Sequence, residues 1–471
     1  MRESLNLLNY FPPVQDNEWK NLLPEDFNWR PIEGIEIQPY YRHNASNPGH
    51  TFDRRQWLIC ANVNLPDSTA AQDAGAEALW VLLDEPVVSP EQLPAVELPL
   101  FFSGAKISPE LIKILQSQTV NKALDSCSLR GAITLPEQYS AISAMEIAEA
   151  TGLWTQVINL EKWHDYGATH VQELAFGLAQ LSDLMAELAP NCTAKHLYFQ
   201  VPVGERYLLD LARLRALRLG ASEVLRAYNA HTHNIHIVGV PSHRYESVLD
   251  SDTHLIRQTL QYAAAITGGC DVIVSPGIGH SLRILHILRH EGKLGSVADP
   301  AAGSWMIEHL TEALGLASWK LFQTIESKGG LRKSQSWIEK EIQRVDTRRR
   351  TDVSSGKDII VGANAFLSEQ IKETAPQKKS LVASLETIRI RTKHLGTPAR
   401  VRIHGSYNPW LDRLLNLCNC SIEGNGSDSI DLTITETDKG FQIQNQQCGQ
   451  ALVKPGDPLP DAADQLLLLL E

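Results

Sequence analysis

From Arg54 onward the chain alternates short apolar runs with stretches of helical periodicity. The runs fall at 57–62, 78–83, 97–102, weakly at 120–126, then at 156–160, 196–203, 234–240 and 271–275. Between them, Ser140–Ala150, Gln172–Ala189, Tyr207–Ala227 and Val248–Thr267 repeat apolar residues at spacings of three and four, as amphipathic helices do. Eight strand candidates alternating with helices over roughly 230 residues predict an α/β fold, a (β/α)8 TIM barrel. Several runs lack strict alternation, which fits strands buried on both faces. A doubly wound open sheet gives the same pattern, because periodicity does not report closure.

The flanks differ. Residues 1–52 are rich in Pro and Asn and read as an N-terminal extended arm; 53–366 hold the barrel and its post-barrel helices. Asp299-Pro300 stops one element and Gly303-Ser304 turns the chain, so Ser304 is the expected N-cap of a helix running from Trp305 to Leu321. A second helix follows a break at Gly329-Gly330, and Ile359-Ile360-Val361-Gly362 reads as a strand. Residues 367–395 form a linker that turns helical at 380–391. Residues 396–471 form a small α+β C-terminal domain: Ile430, Leu432 and Ile434 alternate with Asp431, Thr433 and Thr435, Gly440–Ile443 offers a hairpin partner, and a helix closes from Asp461.

Charge narrows the partners. With 43 basic against 55 acidic residues the net charge is −12, and no basic block exceeds Arg348-Arg349-Arg350. Neither nucleic acid nor a membrane surface is an expected partner. Met1–Gln15 lacks the apolar core of a signal peptide, and Leu466–Leu470 is too short to span a bilayer, so a cytoplasmic protein is expected. Seven scattered cysteines form no zinc spacing, and reduced thiols are the expectation.

Candidate chemistry is sparse. His231, His233 and His236 have ligand types but no carboxylate at ligand spacing, and strand 7 is expected to begin after them, so no metal site is expected. Gly277, Gly279 and His280, straight after the eighth strand, could cradle an anion at a helix start or simply make a tight turn. No Walker loop, nucleophile elbow or His-Glu-x-x-His is present.

Several segments in order carry a resemblance. They are Phe11-Pro12-Pro13-Val14 with Trp19, Ile32-Glu33-Gly34 with Pro39-Tyr40-Tyr41-Arg42, and Tyr166-Gly167-Ala168-Thr169 with Gln172-Glu173-Leu174-Ala175. Asp299 to Ser304, Gly329-Gly330 and Val361–Phe366 complete the set. The chain resembles the methylmalonyl-CoA mutase family, adenosylcobalamin-dependent acyl-CoA mutases, and within it the small, non-catalytic subunit of heterodimeric members. The resemblance implies a partner large subunit that carries adenosylcobalamin, binds the acyl-CoA and interconverts methylmalonyl-CoA and succinyl-CoA. It implies no cofactor in this chain and an arm that wraps onto the partner.

Catalytic members hold cobalt through an Asp-x-His-x-x-Gly loop. Here the one Asp-x-His, Asp252–His254, is followed by Arg257 and lies in a predicted helix, and the tail is short and polar. Where those members carry a Tyr-His pair leaving strand 5, this chain has Glu161 and Lys162, a vestigial position at which no catalysis is expected and a surface ion pair is the simplest role. Their CoA-holding Arg on strand 7 falls near Val238. Their CoA threads the barrel, but Trp80, Phe101, Phe102, Tyr198 and Phe199 on these strands predict a filled lumen. Two alternatives stay open. One is a self-sufficient barrel enzyme using Lys162, Asp165 and the 277–280 loop on a small phosphorylated or acyl substrate. The other is a scaffold for another partner, such as a cobalamin chaperone.

Overall fold

The computed structural model describes residues 18, 21–24, 28–41, 52, 56–93, 98–104, 106–118, 131–136, 138–188, 196–204, 206–230, 235–367, 380–394, 398–404, 408–422, 431–446, 449–455 and 457–470. β1 (Leu58–Val63) leads through α1 (Ser68–Asp73) to β2 (Ala78–Leu82), β3 (Leu100–Ser103), α2 (Pro109–Gln118), β4 (Gly131–Ile133), α3 (Ala141–Thr151) and β5 (Gln156–Asn159). Then come the short α4 (Glu161–Asp165), α5 (His170–Leu188), β6 (Leu197–Val203), α6 (Tyr207–Ala227), β7 (His236–Pro241), α7 (Ser251–Thr267), β8 (Val272–Ser275) and α8 (His280–His290). Two long helices follow, α9 (Trp305–Ser327) and α10 (Leu331–Ser354).

The eight strands are parallel in the order β4-β3-β2-β1-β8-β7-β6-β5. One further parallel bridge, Ala132 to Trp154, joins the two ends, with Ile133 N–H donating to Trp154 O at 2.8 Å and Trp154 N–H to Gly131 O at 3.0 Å. The sheet therefore closes as a barrel, and the open-sheet alternative falls. Side chains alternate between lumen and helices as a pleated strand requires. Trp80, Phe101 and Tyr198 point inward with Cys60, Val238, Val272 and Val274, whereas Phe102 and Phe199 face the helices. Trp80 stacks on Phe101 at 5.6 Å and Phe101 meets Tyr198 edge-on at 6.5 Å. This bulk fills the lumen with a packed core.

Four local expectations need correction. The fourth strand is Gly131–Ile133, while 120–126 lies outside the described residues. Three residues are too short an apolar run to stand out, and Gly131 (φ +120°) marks the spot where a Cβ would run into the Leu100 carbonyl. Ile359–Gly362 is a turn with a single bridge, Val361 to Ala365. Asn364 outcompetes a ladder there: its Oδ1 accepts from Ile360 N–H at 2.7 Å and its Nδ2 donates to Val353 O and Asp358 O, both at 2.8 Å. Ser304 occupies the N-cap of α9 but its side chain makes no cap bond; Glu308 takes the role, accepting from Gly303 N–H at 2.8 Å. β7 begins at His236, whose ring meets Trp154 edge-on at 4.4 Å, and 231–234 lies outside the described residues.

Part of the arm docks on its own barrel. Trp29 and Ile37 exchange backbone hydrogen bonds of 3.0 and 2.8 Å around a turn at Gly34. Ile37 is buried in the barrel core and Tyr41 lies 5.0 Å from the His309 ring, while Trp29 and Tyr40 stay exposed. Phe11 and Trp19 lie outside the described residues.

Toward the C-terminus, α11 (Ala383–His394), β9 (Ala399–His404), α12 (Pro409–Leu417), β10 (Cys420–Ile422), β11 (Leu432–Thr437), β12 (Gly440–Asn445), β13 (Gln450–Val453) and α13 (Leu459–Leu468) build a second unit. Its sheet order is β10-β9-β11-β12-β13, parallel across the first three strands and antiparallel across the last three. Leu411, Leu414, Ile434, Phe441, Ile443 and Leu466 form its separate core. The hairpin expected at 430–443 is present as β11–β12.

Candidate functional site

The strands' carboxyl ends form one mouth of the barrel, where barrel chemistry belongs. β5 passes directly into α4, with Asn159 Oδ1 accepting from Glu161 N–H at 2.8 Å. Glu161 accepts from Gln200 of β6, and exposed Lys162 extends over the Trp163 ring at 5.5 Å. Asp165 is exposed on the same turn. The Gly277–His280 turn follows β8, open to solvent, with free space above both glycines. Strands β6 and β7 stand between it and Lys162, so the fold does not bring these two candidates side by side.

The polar cluster that the fold does assemble lies beside α4; in the sequence Glu33 and Glu173 stand only within segments of family resemblance, and no spacing marks their chemistry. His164 turns inward, with Nε2 2.7 Å from Ser242 Oγ and Nδ1 2.8 Å from Glu173 Oε1. Glu173, in the first turn of α5, also takes Arg213 of α6, which in turn holds Asp210 at 2.7 Å and the Pro202 carbonyl. His170 sits between Glu33 of the arm at 2.6 Å and Asp210 at 3.2 Å. Arg244 donates to the carbonyls of His164 (2.7 Å) and Ala168 (3.1 Å), and Arg349 to that of Gly167 (2.6 Å). The Gly167-Ala168 turn is thus clasped by two guanidiniums. The signal available in the sequence is a carboxylate, Glu173, directly preceding the apolar run Leu174-Ala175-Phe176 of α5.

Electrostatics fixes the protonation states. Burial and the Arg244 charge push His164 down to about 4 against the pull of Glu173, so it is neutral at pH 7. The network then assigns Nδ1–H as donor to Glu173 and Nε2 as acceptor from the Ser242 hydroxyl. Burial works against His170, but the Asp210 charge and bonds to Asp210 and Glu33 raise it to about 9. Burial would likewise raise Glu173, yet His164 and Arg213 hold it at about 2. Ser242–His164–Glu173 has the connectivity of a nucleophile–base–carboxylate relay. Ser242 is 3% exposed and also accepts from Arg244 N–H, so substrate does not reach it; the relay ties α4, α5 and the β7 exit together.

A pH optimum of stability follows. His164 has a lowered folded pKa, so stability falls as pH drops from about 6.5 to about 4, by up to about 1.4 kcal/mol per pH unit. His170 has a raised one, so its contribution is complete below about 6.5 and is lost as pH rises through about 9. Urea midpoints should peak near pH 6.5, and His170→Asn should flatten the alkaline limb alone. An alkaline limb unchanged in that variant would show that His170 is not the titrating group.

The family described as methylmalonyl-CoA mutase matches residues 121–404. The methylmalonyl-CoA mutase small subunit of Porphyromonas gingivalis is 23% identical over 448 aligned residues, covering 78% of this chain and 72% of the relative. The probable small subunit of Mycobacterium bovis is 26% identical over 396, covering 71% and 63%. That of Propionibacterium freudenreichii subsp. shermanii is 23% identical over 449, covering 77% and 70%. The chain therefore spans 63 to 72% of these relatives' lengths.

Proposed function

The chain belongs to the methylmalonyl-CoA mutase family, and from that premise we propose that it is the small, catalytically silent subunit of a heterodimeric mutase. A large subunit carries adenosylcobalamin and the acyl-CoA and performs the methylmalonyl-CoA/succinyl-CoA isomerisation; this chain supports its fold. The observation that carries the reading is the lumen: Trp80, Phe101 and Tyr198 occupy the space a pantetheine would thread. Val238 is fully buried on β7 where catalytic relatives are expected to hold CoA. Glu161, engaged by Gln200, and Lys162, lying over Trp163, stand in place of the thioester-binding pair.

The residues present do not fit a corrin. Asp252–His254 lies on α7 with Arg257 close behind, and on β9 the residue two before His404 is Arg402 rather than a carboxylate. No described helix is long and apolar enough to cross a membrane.

The test is reconstitution. Co-expressed with a methylmalonyl-CoA mutase large subunit, the chain should elute as a one-to-one complex that turns over methylmalonyl-CoA, while alone it shows no turnover and retains no cobalamin absorbance after gel filtration. Lys162→Ala should leave turnover of the complex within about twofold, since a group in the chemical step costs orders of magnitude. Turnover by the isolated chain, or its loss in Lys162→Ala, would instead establish a self-sufficient enzyme.

A further inference from the structure

Arm residues 29–33, the segments following β5, β6 and β7, and the last turns of α10 enclose a cavity of ≈ 310 Å³. Six arginine and lysine side chains line it against three carboxylates. Each carboxylate is committed: Glu33 to His170 at 2.6 Å, Asp358 to Arg206 by contacts of 2.9 and 3.0 Å, and Asp352 to Lys357 at 3.4 Å.

Arg244 and Arg349 on the inner wall are placed differently. Their bonds run to main-chain carbonyls of His164, Gly167 and Ala168, which satisfy two of the five donors on each side chain but carry no net charge. The carboxylate nearest Arg244, Glu173 at 3.7 Å, already serves Arg213 and His164. Arg349 is 4% exposed, and burial and the Arg244 charge both lower its pKa. Gly204 and Arg206, leading into the 21-residue α6, bring the positive end of that helix to the same cavity. Two like charges in a wall screened from water are costly unless a counter-charge joins them.

We infer that this cavity is a binding site for a doubly charged oxyanion, inorganic phosphate or a small phosphate ester, gripped by the Arg244 and Arg349 guanidiniums. A dianion offsets both charges, and the planar forks match its oxygens pairwise. The cavity lies at the lower end of the roughly 300–1,000 Å³ of small-molecule sites, which limits an ester to a short one. Trp29, Pro31 and Ile32 form part of the enclosure, so occupancy would fasten the arm to the barrel. This site is a property of the chain by itself and stands independently of the partner proposed above.

The test uses the purified full chain alone, at constant ionic strength. Thermal unfolding and calorimetry with inorganic phosphate should show saturable binding that acetate and chloride do not reproduce. Tighter binding of glycerol 3-phosphate would identify an ester as the ligand, and equal or weaker binding the free ion. Arg349→Gln should abolish the phosphate response. Because that change also removes the bonds to Gly167 and Ala168, Lys357→Gln, with a side chain 71% exposed, provides a second reading. It should weaken phosphate binding about threefold or more at low salt without lowering the phosphate-free Tm. A response equal to that of acetate, or phosphate affinity unchanged in Lys357→Gln and in folded Arg349→Gln, would overturn the assignment.

Discussion

Glu173→Ala should destabilise the chain by about 3–5 kcal/mol, enough to unfold an ordinary domain outright. Glu173 is fully buried and faces two partners with different demands. Without it Arg213 keeps only Asp210 as a charged partner, and the Nδ1–H of His164 loses its acceptor. Neither group can reach water from 0% and 4% exposure. The Glu173→Leu, Arg213→Met pair should cost less than the sum of the two single changes, because removing both members of a buried ion pair leaves the net buried charge unchanged. Urea unfolding followed by circular dichroism at pH 7 would read both. A loss below about 1 kcal/mol for Glu173→Ala would mean that water reaches the network.

Arg215→Met should have an effect of similar size on a different part of the molecule. Arg215 donates from Nε to Asp299 at 3.1 Å and from both terminal nitrogens to Glu308 at 3.0 Å, with Thr311 at 3.1 Å completing the set. Asp299 sits at φ +35°, a backbone state most side chains avoid and one that its buried contact helps to hold. Removing the guanidinium takes the shared forked counter-charge away from two carboxylates that are 2% and 1% exposed. The expected loss is about 3–5 kcal/mol, with new protease cleavage confined at first to 297–304. Arg215→Lys should not rescue it, since an ammonium cannot serve both carboxylates in the forked geometry. Protease resistance at 297–304 in Arg215→Met would show that the segment is held by packing alone. The Asp299–Ser304 stretch, among the strongest marks of family resemblance, is on this account a structural clasp.

The barrel was legible because its signal is periodic. The helix at Tyr207–Ala227 lies where the pattern placed it, and seven of the eight strands overlap their apolar runs. β4 escaped because Gly-Ala-Ile is too brief, and Ile359–Gly362 misled because its β-branched residues mask a turn made by Asn364. The filled lumen was also legible, since inward bulk follows from strand alternation once a barrel is assumed. The polar cluster was not. Arg213, Arg215 and Arg218 are three charges spread around α6 with no acceptor marked beside them in the sequence, yet all three are buried. Their acceptors lie on Glu173, Asp210, Asp299, Glu308 and the carbonyls of Ile235 and Gly269, pairings that only the closed fold reveals.

The Arg215 clasp also ties the barrel to chain that lies beyond it. Its two carboxylates lie 84 and 93 residues further along the chain, past Ser275, where the eight strands are already complete in sequence. A chain cut after β8 would carry every strand yet lack both counter-charges, so the smallest unit that buries Arg215 together with Asp299 and Glu308 runs on into α9 rather than stopping with the sheet.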